Sequence, residues 1–420
     1  MRSSFKRIGA YVQQVNTRNT GLTVTNLQGV SINKYFMPSV ANVNGTDLST
    51  YKAVCKDQFA FNPMHVGRDE VLPIAVLGTD EPVIVSPVYA VFEIIDKQAL
   101  LPEYLMMWCR RPEFDRNAWF TTDSSVRGGF SWDDFCEMLL PVPSLKKQRE
   151  IVKEYHTIVD RITLNERLNR KLEETAQAIY RQWFVDFEFP ISAEYAAAIG
   201  KPELAGQPYK SSGGEMVYNE VLKQEIPKGW RDGTLITHCH IKMGQSPKGD
   251  TYNTEGVGMP LINGPVEFGT YFTVQAKWTT EPTKMSSNGD LIVCVRGSTT
   301  GRFVKSDGEY CLGRGVCSIK GKRSQHFVDQ LYMHHQQELI TLTTGSTFPN
   351  WSSETLSDFP AIVPQALVVD AFDKLISPVV VSKENNFRQI IIMDQLRASL
   401  LLRLISDNKT GDDVEKLIRP

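Results

Sequence analysis

Few residues of this chain could carry out catalysis, and their spacing does not complete an active site. The segment FNPM at 61–64 shares an Asn-Pro pair with the loop in which amino-methyltransferases hold a flipped base. It lacks the second proline and the aromatic residue that would stack on that base. No Gly-rich loop for S-adenosylmethionine precedes it, and no GxxxxGK[ST] phosphate-binding loop occurs in the chain. The sequence therefore argues against both methyl transfer and ATP hydrolysis by this chain.

A metal site is no better supported. His238, Cys239 and His240 are consecutive, and in a predicted strand the two histidines would face away from the cysteine. No second ligand pair follows at a spacing typical of zinc sites. The seven cysteines form no CxxC pair, and the start of the chain lacks the apolar core of a secretion signal. We therefore predict a cytoplasmic chain with reduced cysteines and no bound metal.

Polar loops in the second half of the chain are better suited to contact nucleic acid. The loops 243–249, 296–302 and 343–351 combine Gln, Ser, Thr and Asn with arginine and glycine. These side chains donate to phosphates and base edges, arginine can bind guanine with two hydrogen bonds, and glycine permits a close backbone approach. The loop 121–129 has a similar composition and is either a contact loop or a solvated connection. The candidate DNA contacts are Arg18, Tyr35, His65, Arg68, Ser125, Arg127, Gln245, Ser246, Lys248, Arg296, Ser298, Arg302, Ser346, Thr347 and Trp351.

One long helix would position these loops. Residues 144–186 contain neither proline nor glycine, and their apolar residues recur at spacings of three and four. Ser144 is a candidate N-cap, and Pro190 prevents the helix from continuing. At a rise of 1.5 Å per residue the helix would be about 60 Å long. It is either one member of an ordinary bundle or a spacer between two globular units.

An internal repeat favours the spacer. Residues 135–159 align with residues 356–380, with Pro143 matching Pro364. The repeat predicts an α+β fold in which two similar α/β domains alternate with two long helices that pair antiparallel as a coiled coil, with pseudo-two-fold symmetry. The predicted parts are a first domain at 1–143, a helix at 144–187, a linker at 188–229, a second domain at 230–364, a distal helix at 365–406 and a tail at 407–420.

Composition excludes some classes of protein and leaves others open. The 420 residues are 41% hydrophobic and 22% charged, as in a soluble globular protein of more than one domain. No apolar run is long enough for a transmembrane helix. The net charge is −2, and residues 230–360 carry twelve basic and twelve acidic side chains. Charge alone would not suggest DNA binding, because a lone DNA-binding domain is usually basic on one face.

Several long stretches resemble one known family. They are FSWDDFCEMLLPVPSLKKQREIV at 130–152, AQAIYRQWFVDFEFP at 176–190, QPYKSSGGEMVYNEVLKQEIPKGW at 207–230 and FNPMHVG at 61–67. Over essentially its whole length the chain resembles the DNA-specificity subunit of type I restriction-modification systems. The resemblance implies a non-catalytic subunit in which each globular domain, a target-recognition domain, reads one half of a bipartite DNA site.

The resemblance also implies partners. The two helices would bind two modification subunits that carry S-adenosylmethionine, and motor-nuclease subunits that use ATP and Mg²⁺ would join for cleavage. The apolar arc of the first helix is wider than a two-helix seam needs, so Tyr155, Trp183 and Phe184 are candidate contacts with the modification subunits. Alternatively they seal the junctions between domains and helices. Pro378 should interrupt the second helix, so the two partner surfaces need not be equivalent.

Two other classes of function stay open from the sequence. One is a self-sufficient DNA methyltransferase, which the missing catalytic motifs oppose. The other is a coiled-coil scaffold without a nucleic-acid role, which the two loop-rich domains oppose.

Overall fold

The structure, a computed structural model, describes residues 5–39, 45–64, 66–122, 129–344 and 349–406, and for Arg68, Ile405 and Ser406 only the backbone. The predicted tail at 407–420 lies outside these residues. The chain divides into two compact units. Unit 1 comprises Met1–Leu164 with Ile390–Pro420, and unit 2 comprises Asn165–Gln389. Both units mix helices with mainly antiparallel sheets, so the fold is α+β as predicted.

The described residues of unit 1 form short strands, four short α-helices and parts of two long α-helices. The strands are β1 (Phe5–Arg7), β2 (Val12–Gln14), β3 (Gln28–Val30), β4 (Phe36–Pro38), β5 (Lys52–Val54), β6 (Phe59–Phe61), β7 (Ile74–Val76), β8 (Val83–Val85), β9 (Ala90–Ile94) and β10 (Leu139–Pro141). The helices are α1 (Val66–Asp69), α2 (Pro102–Cys109), α3 (Pro112–Phe120), α4 (Trp132–Glu137) and α5 (Leu145–Phe184).

The main sheet of unit 1 has the strand order β2-β9-β6-β7 and is antiparallel throughout. Side chains alternate across β6, so Phe59 and Phe61 enter one hydrophobic cluster while Ala60 enters another on the opposite face. Phe59 stacks on Phe92 of β9 with ring centroids 4.7 Å apart. The pairs β3-β4, β5-β8 and β1-β10 complete the strands of this unit.

Helix α5 starts as the sequence predicts and ends earlier. The Lys147 N–H donates to Ser144 Oγ at 3.4 Å, which is the N-cap interaction expected of Ser144. The helix ends at Phe184, before the predicted 187, because buried Phe187 adopts a left-handed conformation with φ of 62°. A left-handed residue ends an α-helix, so the terminus is decided by Phe187 and not by Pro190.

Unit 2 contains the second globular part and most of the distal helix. The strands are β11 (Met216–Asn219), β12 (Gln224–Pro227), β13 (Arg231–Thr234), β14 (Cys239–Met243), β15 (Tyr252–Asn253), β16 (Met259–Ile262), β17 (Trp278–Thr279), β18 (Leu291–Cys294), β19 (Phe303–Lys305), β20 (Cys311–Leu312), β21 (Val316–Gly321) and β22 (Pro360–Val363). The helices are α6 (Ala193–Ala198), α7 (Leu235–His238), α8 (Gln325–Thr341), α9 (Ser353–Ser357) and α10 (Ala366–Ser406).

Two four-stranded sheets form the frame of unit 2. One has the order β14-β21-β18-β19 and is antiparallel, and the other has the order β15-β17-β16-β20 with a parallel β16-β20 pair. The buried strand β18, LIVC, contributes to a cluster on each face, with Leu291 and Val293 on one side and Ile292 and Cys294 on the other. Alternation along a strand with both faces covered explains this division.

The segment predicted as a linker, 188–229, is folded. It contains α6 and the β11-β12 hairpin. Phe189 stacks on Tyr209 at 4.7 Å and on Trp230 at 5.0 Å between ring centroids, and all three are buried in the main cluster of unit 2. Its glycines and prolines therefore make turns in a packed segment, and the prediction of a loose connection is wrong.

Helix α10 is continuous through Pro378, contrary to the predicted interruption. Proline lacks the N–H that would bond the carbonyl of residue 374. The Ser382 hydroxyl donates to the Pro378 carbonyl at 2.8 Å, within the following turn. Because the flanking Ile376 and Val380 are both buried, packing of the helix holds it together across the missing bond.

The two long helices pair within each unit. In unit 2, Asn165 lies beside Gln389 and Asn169 beside Asn386. Residue numbers rise along α5 as they fall along α10, so this pairing is antiparallel. In unit 1, Ile151 of α5 shares a cluster with Leu400 and Leu404 of α10. None of the helices in the described residues is long and apolar enough to cross a membrane.

Candidate nucleic-acid interface

Three loops of unit 2 meet at one end of a sheet. β14 ends at Met243 and β18 ends at Cys294, while β21 between them begins at Val316. In the antiparallel register Met243 pairs with Cys317, and Cys294 pairs with Val316. The chain therefore leaves β14 and β18 and enters β21 at the same edge. We call the loops 244–249, 295–302 and 313–315 the loop end of unit 2.

Two glycines allow these loops to touch through their backbones. A Cβ on Gly244 would lie 2.2 Å from the Gly313 carbonyl oxygen, and one on Gly313 would lie 1.8 Å from Asn263 Oδ1. Any other residue at position 244 would push its loop away from the Gly313 backbone, and any other residue at position 313 would displace the Asn263 side chain. The Gln245 N–H donates to the Leu312 carbonyl at 2.8 Å, so the first loop is held by backbone contacts that leave its side chains free to point elsewhere.

Polar and basic side chains are exposed at the loop end of unit 2. Ser246 is half-buried, and its Oγ accepts from the Arg314 N–H at 3.2 Å. Arg314 was not predicted as a contact from the sequence, although it stands between Gly313 and Gly315. A basic residue between two glycines is the signal that could have identified it. The exposed members of the loop end are Gln245, Lys248, Arg296, Ser298, Arg302 and Arg314.

The loop 296–302 is joined to residues 349–350. The Gly297 N–H donates to the Pro349 carbonyl at 2.9 Å, and the Thr300 hydroxyl donates to the same carbonyl at 3.0 Å. Arg302 is anchored by an Nη2 hydrogen bond to the Phe268 carbonyl at 3.4 Å. Because Arg302 already has this partner, Arg296 is the better placed of the two arginines to bind a guanine.

The prediction that Trp351 contacts DNA is wrong. Trp351 is 2% exposed, and its indole N–H donates to the Leu339 carbonyl of α8 at 2.9 Å. Its backbone N–H donates to the Val295 carbonyl at 2.9 Å. The residue is therefore a buried support beneath the loop end, since its polar group is satisfied inside the protein.

Several predicted contacts cannot be placed. His65, Ser125, Arg127, Ser346 and Thr347 lie outside the described residues, and only the backbone of Arg68 is described, in α1. In unit 1, Arg18 is exposed and its guanidinium donates to the Thr50 carbonyl. Tyr35 is 52% exposed in the turn between β3 and β4.

A buried ion pair holds the turn that carries Tyr35. Lys34 has a φ of 64° and is buried, and its amine lies 2.7 Å from Asp115 Oδ1 of α3. Burial lowers the pKa of Lys34 and raises that of Asp115. The same carboxylate accepts from the Leu72 N–H at 3.1 Å. The pair positions the turn, because removing either partner would leave an uncompensated buried charge.

The three residues predicted to contact modification subunits face inward. The Tyr155 hydroxyl accepts from Arg110 at 3.2 Å within unit 1. Phe184 packs on Phe327 and Phe372, with ring centroids 4.8 and 5.0 Å away, and Trp183 packs on Phe372 at 5.8 Å within unit 2. All three are buried by their own chain. The alternative interpretation, that they seal helix junctions, fits these contacts.

Other apolar side chains on the long helices are exposed. Leu164 of α5 and Leu396 of α10 are 44% and 48% exposed in unit 1. Further exposed apolar residues in the same unit are Ile391, Ile392 and Leu402. Apolar residues that their own chain leaves exposed on paired helices are candidates for contact with a partner.

The His-Cys-His triplet does not lie in a single strand as predicted. His238 ends α7 and Cys239 begins β14. Burial lowers the pKa of His238, and its Nε2 lies 2.9 Å from the Ile362 carbonyl, so the neutral ring donates there. Within the described ranges no group of three His, Cys, Asp or Glu side chains could hold a metal ion.

Comparison with known proteins points to one family. Residues 227–385 match the model of the type I restriction modification DNA specificity domain. The chain is 31% identical over 118 residues to the MjaX sequence of Methanocaldococcus jannaschii, covering 28% of this chain and 27% of that relative. It is 23% identical over 435 residues to the HindI specificity subunit of Haemophilus influenzae, covering 89% of this chain and 91% of that relative.

A solved structure shares the fold. The crystal structure of the S subunit of a type I restriction-modification system from M. genitalium aligns with a TM-score of 0.56 over 96% of each chain, at 12% identity. The matched domain includes the loop end, β13 to β22 and the first half of α10. Residues 227–385 therefore resemble a type I restriction modification DNA specificity domain, and the chain has the fold of an S subunit of such a system.

Proposed function

We propose that this subunit reads a bipartite DNA site, with the loop end of unit 2 reading one half and unit 1 the other. The observation that carries this proposal is the convergence of exposed Gln245, Lys248, Arg296, Ser298 and Arg314 at one edge of a sheet. Arginine and glutamine are the side chains that recognise guanine and adenine with paired hydrogen bonds. Backbone contacts through Gly244 and Gly313 hold these side chains in place before DNA binds, which lowers the cost of ordering them.

The long helices set the distance between the two recognition domains in this proposal. Support comes from the two continuous helices, α5 and α10, which pair antiparallel beside Asn165 and Asn169. A helix pair is stiff and has a defined rise per residue, so it would fix the length of the unread spacer between half-sites.

The exposed apolar residues of the helices are the docking surface for modification subunits. Two modification subunits bind to one copy of this chain. Leu164, Ile392 and Leu396 provide apolar area that the chain itself does not cover. S-adenosylmethionine binds to these partners, and ATP with Mg²⁺ binds to the motor-nuclease subunits. The near-neutral charge of this chain agrees with a DNA channel built partly by its partners.

Selection from random DNA tests the proposal. The subunit, reconstituted with its modification subunits, should retain sequences with two constant half-sites separated by an unread spacer of fixed length. Retention of one contiguous site would contradict the bipartite reading. Methylation by the isolated chain would favour a self-sufficient methyltransferase, and retention of no DNA would favour a scaffold.

The same selection assigns the loop end to one half-site. Replacing Arg296 with Ala should relax one position of one half-site by about 1–3 kcal/mol if Arg296 binds guanine, and should leave the other half-site unchanged. Arg323→Ala is the matched control, because Arg323 is also an exposed arginine but follows the opposite end of β21 and is ion-paired with Asp370. Equal weakening on all sequences would mean that Arg296 contacts phosphate only.

A further inference from the structure

The two long helices meet through three successive polar layers in unit 2. Such a seam is normally apolar, because helix pairing is driven by burial of apolar side chains. On α5 the polar positions are four residues apart, and on α10 they are three apart, so they follow one line along each helix. The pairs are Asn165 Nδ2 to Gln389 Oε1 at 3.2 Å, Asn386 Nδ2 to Asn169 Oδ1 at 3.0 Å, and Lys383 Nζ to Glu173 Oε2. We call these six residues the polar seam.

Three residues of the polar seam are buried, and the other three, Glu173, Asn386 and Gln389, are half-buried. Asn165, Asn169 and Lys383 are 0%, 5% and 8% exposed. Beyond it in unit 2 the pairing becomes apolar again, with buried Ala176 on α5 and Ile376 on α10. The change of residue type is therefore local to these three layers.

Stability does not explain the polar seam. Asn165 Oδ1 and Asn169 Nδ2 have no hydrogen-bond partner among the residues that the structure describes. Unsatisfied buried polar atoms destabilise a fold. A buried ion pair such as Glu173 with Lys383 is often no more stabilising than apolar side chains of similar size. Leucine at these positions would build a more stable pair, so the polar residues require another reason.

The ion pair permits a single alignment of the helices. If α10 slid by one layer in one direction, Glu173 would face Val380 and Lys383 would face Asn169. If it slid in the other direction, Lys383 would face Gln177. Both shifts bury a carboxylate without its cation, which is strongly unfavourable, whereas a purely apolar seam would tolerate either.

Contacts with the globular part of unit 2 reinforce this alignment. Glu173 Oε1 accepts from Gln330 of α8 at 3.4 Å, and the Lys383 amine lies 4.8 Å from the centroid of the Tyr271 ring. Tyr271 stacks on Phe387 of α10 at 4.4 Å. Burial raises the pKa of Glu173, but the charge of Lys383 and three hydrogen bonds outweigh it and lower the pKa overall. The carboxylate therefore stays ionised and paired.

We propose that the polar seam specifies the register in which α5 and α10 pair, and that Glu173 and Lys383 are its principal positioning residues. The consequence for DNA rests on the function proposed above: the register sets the spacer length between half-sites. A polar seam sacrifices stability for one alignment, as single buried polar residues do in other helix pairs.

Cysteine cross-linking measures the register in the full chain without DNA. Asn169→Cys with Asn386→Cys reports the observed register, and Asn165→Cys with Asn386→Cys reports a register shifted by one layer. Both reporter pairs are placed in a chain in which exposed Cys55 is replaced by Ser. With Glu173 and Lys383 present, the yield of the first cross-link should exceed that of the second at least tenfold.

Replacing both Glu173 and Lys383 with Leu should raise the ratio of shifted to observed cross-link at least tenfold, without lowering the thermal midpoint. The charge-reversed pair, Glu173→Lys with Lys383→Glu, is the matched control and should keep the original ratio, while Glu173→Lys alone should not. An unchanged ratio in the leucine pair, with the control pair folded, overturns the inference. If the leucine pair fails to fold, the test uses Glu173→Lys alone. An unchanged ratio of shifted to observed cross-link in that variant also overturns the inference.

A second measurement separates this inference from the proposed function. Methylation by the reconstituted complex is mapped on DNA with a series of spacer lengths. The leucine pair should methylate at least one additional spacer length at a rate within threefold of the best one. If the cross-links shift and the spacer preference does not, the link between register and spacing is overturned. If the unaltered complex has no spacer preference, the proposed function fails while the cross-linking result stands.

Discussion

Trp351 shows how one residue can be mistaken for a DNA contact. It follows a Gly-, Ser- and Thr-rich loop, and aromatic residues in such loops often stack on bases. Its ring is instead buried next to Gly301, where an added Cβ would lie 3.3 Å from the indole. Gly301 has a φ of 92°, so the left-handed turn and the lack of a side chain both make room for the tryptophan. The loop end is built on this support.

Replacing Trp351 should therefore affect folding first. We expect Trp351→Ala to reduce the free energy of unfolding by about 3–5 kcal/mol, because it leaves a large cavity and removes the hydrogen bond from the indole to the Leu339 carbonyl. Denaturant unfolding followed by circular dichroism measures this loss. Ser298→Ala, in the exposed part of the same loop end, should unfold like the unaltered chain. Unchanged stability of Trp351→Ala with lost DNA binding would contradict the burial of the ring.

At the scale of elements, the long helices have two kinds of apolar residue. One kind, including Tyr155, Trp183 and Phe184, packs against the globular parts of their own units. The other kind, including Leu164, Ile392 and Leu396, is exposed. Both kinds obey the same helical period, so a stripe along a helix does not distinguish the residues that fold the chain from those that can bind a partner.

Docking of modification subunits should depend on the exposed apolar residues of the long helices. Ile392→Glu with Leu396→Glu should weaken co-purification with the modification subunit at least tenfold, because two charges would enter an apolar contact. The isolated chain should keep its thermal midpoint, since both side chains are about half exposed. Trp183→Ala is the comparison and should lower that midpoint. If the glutamate variant co-purifies as fully as the unaltered chain, Ile392 and Leu396 do not contact the modification subunit.

At the scale of the whole molecule, the net charge is unusual for a chain that we propose reads a DNA sequence. The net charge is −2, with 46 basic and 48 acidic residues. Phosphate contacts dominate the affinity of most DNA-binding proteins. The basic residues placed at the loop end are a local concentration within a neutral chain, so they would supply sequence readout more than overall attraction.

The salt dependence of DNA binding should show how many phosphate contacts this chain makes and how many its partners make. The logarithm of the DNA-binding constant falls with the logarithm of salt concentration, with a slope of roughly −0.9 per phosphate contact. We expect a shallower slope for the isolated chain than for its complex with modification subunits, measured by fluorescence anisotropy on one cognate duplex. Equal slopes would mean that this chain makes nearly all the phosphate contacts by itself.

Much of the organisation could be read from the sequence because it is encoded locally or by repetition. Ser144 caps α5 where a serine after a proline-rich stretch predicts it, and the absence of proline and glycine from 145–184 permits an unbroken helix. The repeat and the long family-like stretches indicated the specificity-subunit family. These signals depend on neighbouring residues or on matched segments, so they need no knowledge of distant contacts.

Tertiary structure decided the remaining features, because each depends on residues far apart in sequence. Packing of Phe189 and Tyr209 around Trp230 folds a segment that looks like a linker. Burial on both sides of Pro378 keeps α10 continuous where local rules predict a break. The loop end exists because antiparallel strands bring three distant loops to one sheet edge, and the polar seam exists because Asn165 and Gln389 meet across two helices. Local patterns specify which residues are apolar or polar, and only the folded chain determines which of them face each other.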